Sequence, residues 1–161
     1  MAQAKQKPTT NPTRKTASAR EFIDPAALPD IYCSTCEGDC LQPLIPNGAV
    51  IAFSKLEVPK AGDFVSIWQR PEITAGKHQA IVKRLVMNIA PWVKSFPHKE
   101  HPQSTVAALI MAEQMNPKRT FTIECKDVLA VHKAIGYLPM PKPQGSMIST
   151  DDLLPMPEAR P

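Results

Sequence analysis

Short apolar runs separated by glycine and proline turns dominate the pattern of hydrophobic and polar positions along the middle of the chain. These runs predict strands at residues 31–37, 49–53, 64–68, 79–88, 120–124 and 127–138. Their spacing of roughly ten residues is typical of an all-β domain. The sequence therefore predicts a mostly β fold across residues 31–138.

Three segments between these runs are less regular. Residues 71–77 form a predicted loop that contains Ala75 and Gly76, and residues 90–101 are rich in proline and contain His98 and His101. We interpret the two histidines as part of a polar loop rather than as a metal site. Residues 105–115 have apolar positions at helical spacing, so the pattern alone favours a helix there.

The two ends of the chain differ in composition from the middle. Residues 1–30 form a predicted disordered basic tail, since the first 20 carry five basic residues, no acid and few large apolar groups. Its alternative function is weak, sequence-independent contact with nucleic acid through residues 1–20. Residues 139–161 contain six prolines and form a predicted proline-rich tail, in which residues 151–154 are a candidate docking patch for a partner.

Composition narrows the class of protein. With 161 residues, 43% of them hydrophobic, the chain is long enough for one domain with a modest core. No apolar run approaches the ~20 residues of a membrane-spanning helix and no secretory signal is visible, so we expect a cytoplasmic protein without membrane contact. Free thiols are then expected at all four cysteines. Cys33 and Cys36 would face opposite sides of a strand, so we predict neither a metal nor a cofactor.

One turn carries candidate chemistry. Gly38 and Asp39 precede Cys40, a small nucleophilic side chain, and Leu41 and Pro43 continue the turn. Backbone amides around such a turn can stabilise a developing oxyanion. Downstream, Lys83 stands in an otherwise apolar run, and an apolar strand face disfavours the charged ammonium and favours the neutral amine that a general base needs. The alternative is that Lys83 extends to solvent from an edge strand.

The order of these motifs resembles that of the LexA and phage-repressor peptidases, which share a fold with type I signal peptidases and use a serine/lysine dyad. The motifs are Gly38-Asp39-Cys40, a proline-containing turn closing at Gly48, Gly-Asp at residues 62–63 and Val-Lys-Arg-Leu at residues 82–85. The resemblance covers about residues 32–138. It implies a LexA/signal-peptidase-like β fold and a strand at residues 105–115.

The same resemblance assigns roles to individual residues. It implies that Cys40 occupies the nucleophile's position, that Lys83 is its base, and that Gly38, Asp39, Leu41 and Pro43 form the turn around the oxyanion. It also implies a regulatory protein of phage or mobile-element type that acts on itself or on a partner, and a homodimer. The chain departs from the family at Cys40, where the family has serine, and at Leu41, where it usually has methionine.

Two functions follow from the cysteine. In the first, Cys40 and Lys83 form an active dyad, because a thiol is a competent nucleophile. In the second, the larger sulfur misplaces the oxyanion and the chain is an inactive module for dimerisation or partner binding. Self-cleavage of the family type needs an Ala-Gly or Cys-Gly bond ahead of the nucleophile. The Ala75-Gly76 pair lies instead between Cys40 and Lys83, which speaks against it.

Overall fold

The computed structural model describes residues 22–74, 77–89, 109–141, 143 and 146–158. Its strands are β1 Ile31–Thr35, β2 Val50–Ser54, β3 Phe64–Gln69, β4 Ala80–Leu85, β5 Leu109–Met115, β6 Lys118–Glu124 and β7 Val128–Leu138. They form one antiparallel sheet in the order β1-β2-β7-β3-β4-β5-β6. A single turn of α-helix, α1 Pro71–Thr74, and short 3-10 helices at Pro25–Ala27, Cys125–Asp127 and Thr150–Asp152 complete the regular structure. The predicted mostly β fold is confirmed.

The centre of the sheet is built from its most apolar strands. All five residues of β2 are buried, as are the first five of β3, which suits strands that are covered on both faces. Between them lies β7, which pairs with β2 along one edge and with β3 along the other. Its alternating burial places every second side chain in the interior over much of its 11 residues.

Two hydrophobic clusters lie on opposite faces of the sheet, and alternation along β3 separates them. Val65 and Ile67 belong to the cluster that β4, β5 and β6 cover. Phe64 points to the other face, where it packs with β2 and with the turn that follows β1. The turn is therefore anchored by core packing, chiefly through Leu41 and Ile45, which are fully buried.

The two ends of the sheet are brought together by the loop between β1 and β2. Strands β4 and β5 pair only at Arg84↔Glu113 and Leu85↔Ala112 within the described residues. The far end of β5 instead meets the β1–β2 loop, where the Met115 and Asn116 N–H groups donate to the Cys40 carbonyl at 2.7 and 3.1 Å. A loop that starts at one edge of the sheet thus contacts the hairpin that forms the other edge.

Most predicted strands occur within a few residues of their expected positions, and two segments differ. The helical interpretation of residues 105–115 is wrong for the described part, because residues 109–115 form β5 and pair with β6 along its length. Long-range pairing here outweighs helical spacing. The predicted loop at residues 71–77 contains α1, which begins at a proline, a residue suited to the first helical turn.

Parts of both predicted tails lie against the domain. The Ile23 N–H donates to the Gln79 side-chain oxygen at 3.0 Å, and the Gln79 amide nitrogen donates back to the Ile23 carbonyl at 2.6 Å. At the other end, Tyr137 and Leu154 exchange backbone hydrogen bonds of 3.0 and 2.9 Å. Parts of residues 22–30 and 149–158 therefore contact the domain.

Several expectations fall outside the described residues. These are the basic segment at residues 1–20, the Ala75-Gly76 pair, the histidines His98 and His101, and the first part of the 105–115 segment. Among the described residues, no helix is long and apolar enough to cross a membrane.

Candidate functional site

A groove of about 460 Å³ contains both residues of the predicted dyad. Cys40 reaches it from the loop after β1, and Lys83 reaches it from β4. Ser34 and Thr35 at the end of β1 line one side, and residues 79–83 line the other. The structure thus brings together two positions that are 43 residues apart in the sequence.

The turn that carries Cys40 is held by hydrogen bonds at both of its ends. Where the turn begins and ends, the Cys36 N–H donates to the Ala49 carbonyl at 2.7 Å, and the Gly48 N–H donates to the Cys36 carbonyl at 2.8 Å. Gly38 has a φ of 91°, in the region that favours glycine, and its N–H donates to the Asn47 side-chain oxygen at 3.0 Å. This explains why a glycine stands two residues before the candidate nucleophile.

The other predicted turn residues have distinct places. Asp39 accepts a hydrogen bond from the Gln42 side-chain amide at 2.8 Å, so its carboxylate holds the turn. The Leu41 side chain is buried, and its carbonyl accepts from the Leu44 and Ile45 N–H groups at 3.1 Å each. Pro43 is exposed on the outside of the turn. These residues therefore shape the turn, and Cys40 is the one among them that lines the groove.

Backbone N–H groups remain available at the candidate nucleophile. Within the described residues, the N–H groups of Cys40 and Leu41 donate to no protein acceptor. Donors of this kind beside a nucleophile can stabilise the negative oxygen that forms when a carbonyl carbon is attacked.

Lys83 is buried, with 9% of its surface exposed, although it carries an ammonium group. It lies opposite Val65 on β3, on the apolar face that it shares with Leu85. Its Nζ atom lies 5.9 Å from the centre of the Phe121 ring on β6. The alternative in which Lys83 extends to solvent does not describe this side chain, because the sheet around it removes most of its contact with water.

A third group, which the sequence analysis did not place in the site, lies beside this pair. Cys36 lines the same groove and is 3% exposed. Burial, followed by the negative charge of a Cys40 thiolate, raises the pKa of Cys36 to about 11, and the Lys83 cation opposes this rise. The apolar run at residues 31–37 predicts Cys36 inside a strand, but β1 ends at Thr35 and leaves Cys36 at the start of the turn. The sequence signal that could have placed Cys36 in the site is its spacing of four residues from Cys40 across a glycine turn.

A buried polar cluster lies next to the groove and was also missed. The Tyr32 hydroxyl lies 2.9 Å from Trp68 Nε1 and 2.9 Å from His132 Nδ1. Burial raises the pKa of Tyr32, partly offset by hydrogen bonds from Ser66 and Trp68. Burial, with Lys55 nearby, lowers the pKa of His132 to about 4, so this ring is neutral at pH 7. Because Ser66 and Trp68 line the groove, the cluster supports its wall.

The rim of the groove is polar. Glu37 and His78 approach each other at 3.4 Å across it, and Lys77 lies next to His78. No group of three metal-binding side chains occurs in the part of the chain that the structure describes.

Taken together, the groove combines a thiol with a buried amine, and within the described residues the adjacent turn has two backbone N–H groups without a protein acceptor, which is a combination suited to acyl transfer. Comparison of the chain with protein-family models, with curated proteins and with solved structures found no match.

Proposed function

We propose that this chain is a peptidase homologue of the LexA type, with Cys40 as the nucleophile and Lys83 as the general base. The observation that carries the proposal is the shared groove, which is lined both by a thiol on a glycine turn and by a buried lysine. Under this proposal the seven-stranded sheet is a LexA/signal-peptidase-like fold, and the protein regulates itself or a partner protein by cleavage.

The groove has the shape for an extended peptide. Within the described residues, β1 pairs only with β2, so its other edge is open. Residues 80–83 of β4 likewise pair with β3 but not with β5. An extended peptide can add to such strand edges through main-chain hydrogen bonds. A peptide lying there would pass between Cys40 and Lys83.

The chemistry proceeds in two steps. Lys83 Nζ accepts the thiol proton as Cys40 Sγ attacks the peptide carbonyl carbon, and the Cys40 and Leu41 N–H groups stabilise the oxyanion. Lys83 then gives this proton to the leaving amine, which leaves a thioester on Cys40. In the second step Lys83 accepts a proton from water, whose oxygen attacks the thioester and frees the acid and the thiol.

The burial of Lys83 favours this role. The side chain is 9% exposed and its Nζ atom lies 5.9 Å from the centre of the Phe121 ring, so the sheet and this ring fix its position at the groove. A thiol loses its proton more readily than a serine hydroxyl, so the cysteine needs less help from the base than a serine would.

The test is a measurement of intact mass during incubation at mildly alkaline pH, alone and with a library of peptides. Wild type should cleave itself or a peptide, while Cys40→Ala and Lys83→Met should not. Lys77→Met and Cys33→Ala are matched controls, because one removes an exposed lysine at the rim and the other an exposed thiol on β1. Cleavage that persists in Cys40→Ala would overturn the proposal.

A second measurement reports on the dyad without requiring cleavage. The rate of Cys40 alkylation by iodoacetamide, followed against pH, should fall in Lys83→Met, because a neighbouring cation stabilises the reactive thiolate. The Lys77→Met profile should match wild type. If Lys83→Met alters the profile but no variant cleaves any peptide, the protein is the inactive binding module, and Cys40→Ser then tests whether the oxyanion donors still support cleavage.

A further inference from the structure

Two thiols lie at one end of the groove. Cys36 is fixed by its backbone hydrogen bonds to Ala49 and Gly48, and Cys40 lies four residues further along the same turn. Cys36 belongs to the hydrophobic cluster on this face of the sheet, and Cys40 packs against that cluster. Both side chains line the groove. The turn therefore holds a buried thiol beside a partly exposed one.

The other two cysteines are placed differently. Cys33 is exposed on the edge strand β1, where it lies opposite Ala52. Cys125 is buried in the hydrophobic cluster on the opposite face of the sheet. Neither lines the groove. Among the four thiols, Cys36 and Cys40 are thus the pair that shares one environment.

We propose that Cys36 and Cys40 form a reversible oxidation site, in which a peroxide oxidises Cys40 and Cys36 resolves the product as an intramolecular disulfide. In the first step the Cys40 thiolate attacks hydrogen peroxide, the O–O bond breaks, and the products are Cys40 sulfenic acid and hydroxide. In the second step Cys36 sulfur attacks the Cys40 sulfur, an S–S bond forms, and the sulfenic oxygen leaves with the Cys36 proton as water. Two thiols are oxidised by two electrons while the peroxide is reduced.

The charges at the site set the order of these steps. While Cys40 is a thiolate, its negative charge helps to keep Cys36 protonated, so the partly exposed Cys40 reacts first. Conversion of Cys40 to the neutral sulfenic acid removes that charge, and the Lys83 cation, which favours the Cys36 thiolate, stays in place. Oxidation of the first thiol therefore removes one of the two causes that keep Cys36 protonated, while burial, the larger one, remains.

The geometry of the turn favours the bond. Only three residues separate the thiols, and one of them is Gly38, whose Cβ position has no neighbour within 4 Å. In a protein that cleaves peptides as proposed above, the disulfide would also switch the nucleophile off until a thiol reductant restored it. That consequence rests on the proposed function, whereas the oxidation site does not.

The test treats folded protein with hydrogen peroxide, blocks the remaining thiols with N-ethylmaleimide and digests with a glutamate-specific protease. Cleavage after Glu37 separates Cys36 from Cys40, so a disulfide between them keeps the two peptides joined until dithiothreitol is added. We expect the joined peptides in wild type and equally in Cys33→Ser, which removes the thiol that shares a peptide with Cys36. Joined peptides that disappear in Cys33→Ser would overturn the proposal.

Replacement of the resolving thiol gives the second arm. Cys36→Ala and Cys36→Val both keep this buried position apolar, and circular dichroism confirms that each folds. We expect loss of the joined peptides in both, with Cys40 trapped as sulfenic acid by dimedone or oxidised further to sulfinic acid. Identical Cys40 products in wild type and in these variants would refute a resolving role for Cys36. A wild type that cleaves peptides but forms no disulfide would refute this site alone, and one that forms the disulfide but never cleaves would refute the proposed function alone.

Discussion

The buried cluster around Tyr32 predicts how acid destabilises the protein. Trp68 Nε1 can only donate, so the Tyr32 hydroxyl accepts from it, and we assign the hydroxyl proton to the contact with His132 Nδ1. This arrangement requires a neutral His132 with its proton on Nε2. A protonated ring would place two donors in contact and would add a positive charge near Lys55.

The size of this loss of stability in acid follows from the pKa of His132, which burial and Lys55 lower from its ordinary value of 6.5 to about 4. The unfolded chain then binds a proton at a higher pH than the folded chain does. The stabilisation is therefore complete above about pH 6.5 and is lost as the pH falls towards 4. Between pH 7 and pH 5 this single residue should lower the free energy of unfolding by about 2 kcal/mol.

Urea unfolding at these two pH values measures the effect, with His132→Asn as the test variant. Asparagine offers an oxygen close to the position of Nδ1 and does not titrate. We expect His132→Asn to be less stable than wild type at pH 7, but to lose about 2 kcal/mol less on acidification. His78→Asn is the matched control, because it removes an exposed histidine that lies outside the Tyr32 cluster. Equal losses in wild type and His132→Asn would refute the reasoning.

Three further predictions concern packing. Arg84 and Glu113 form an ion pair across β4 and β5, with 14% and 12% of their side chains exposed. Glu113→Ala should therefore cost about 3 kcal/mol in urea unfolding, and the double variant Arg84→Met with Glu113→Leu should recover most of this loss. A loss below about 0.5 kcal/mol in Glu113→Ala would show that the pair behaves as a surface pair. Leu41→Ala should lower the free energy of unfolding by about 3 kcal/mol, because the side chain is fully buried beneath the turn. The same variant should speed alkylation of the neighbouring Cys40 thiol. Unchanged urea unfolding would contradict this. In Gly136→Ala, the new Cβ would lie 2.8 Å from the Leu153 Cβ. Residues 149–158 should therefore detach from the sheet, and their backbone amides should exchange hydrogen faster. Unchanged hydrogen exchange would contradict the contact.

The sheet could be predicted from the sequence because its strands carry their own signals. Strands β2 and β7 are apolar runs bounded by turns, and alternation along β4 correctly placed Lys83 on the same face as Leu85. Strand β5 could not be predicted in this way. Its buried residues Ile110 and Ala112 fit a strand, but the neighbouring Met111 and Gln114 suit a helix, and pairing with β6 decides the outcome.

The candidate site was less accessible to sequence reasoning. The common groove of Cys40 and Lys83 was expected from the order of motifs in a resembling family, because no periodicity links residues 43 positions apart. Cys36 was missed since the end of β1 could not be placed to within two residues. The contacts of Ile23 with Gln79 join distant parts of the chain, so the composition of the basic tail gave no sign of them.

The position of Cys40 depends on the closure of the sheet as much as on its own turn. The hydrogen bonds within the turn fix its shape, but the Met115 and Asn116 N–H groups hold the Cys40 carbonyl against the hairpin of β5 and β6. That hairpin also supplies Phe121, which lies beside Lys83. One edge of the sheet therefore positions the backbone of Cys40 and part of the surroundings of Lys83. Because the same hairpin contacts both, a small antiparallel sheet can hold two side chains that are distant in the sequence along one groove.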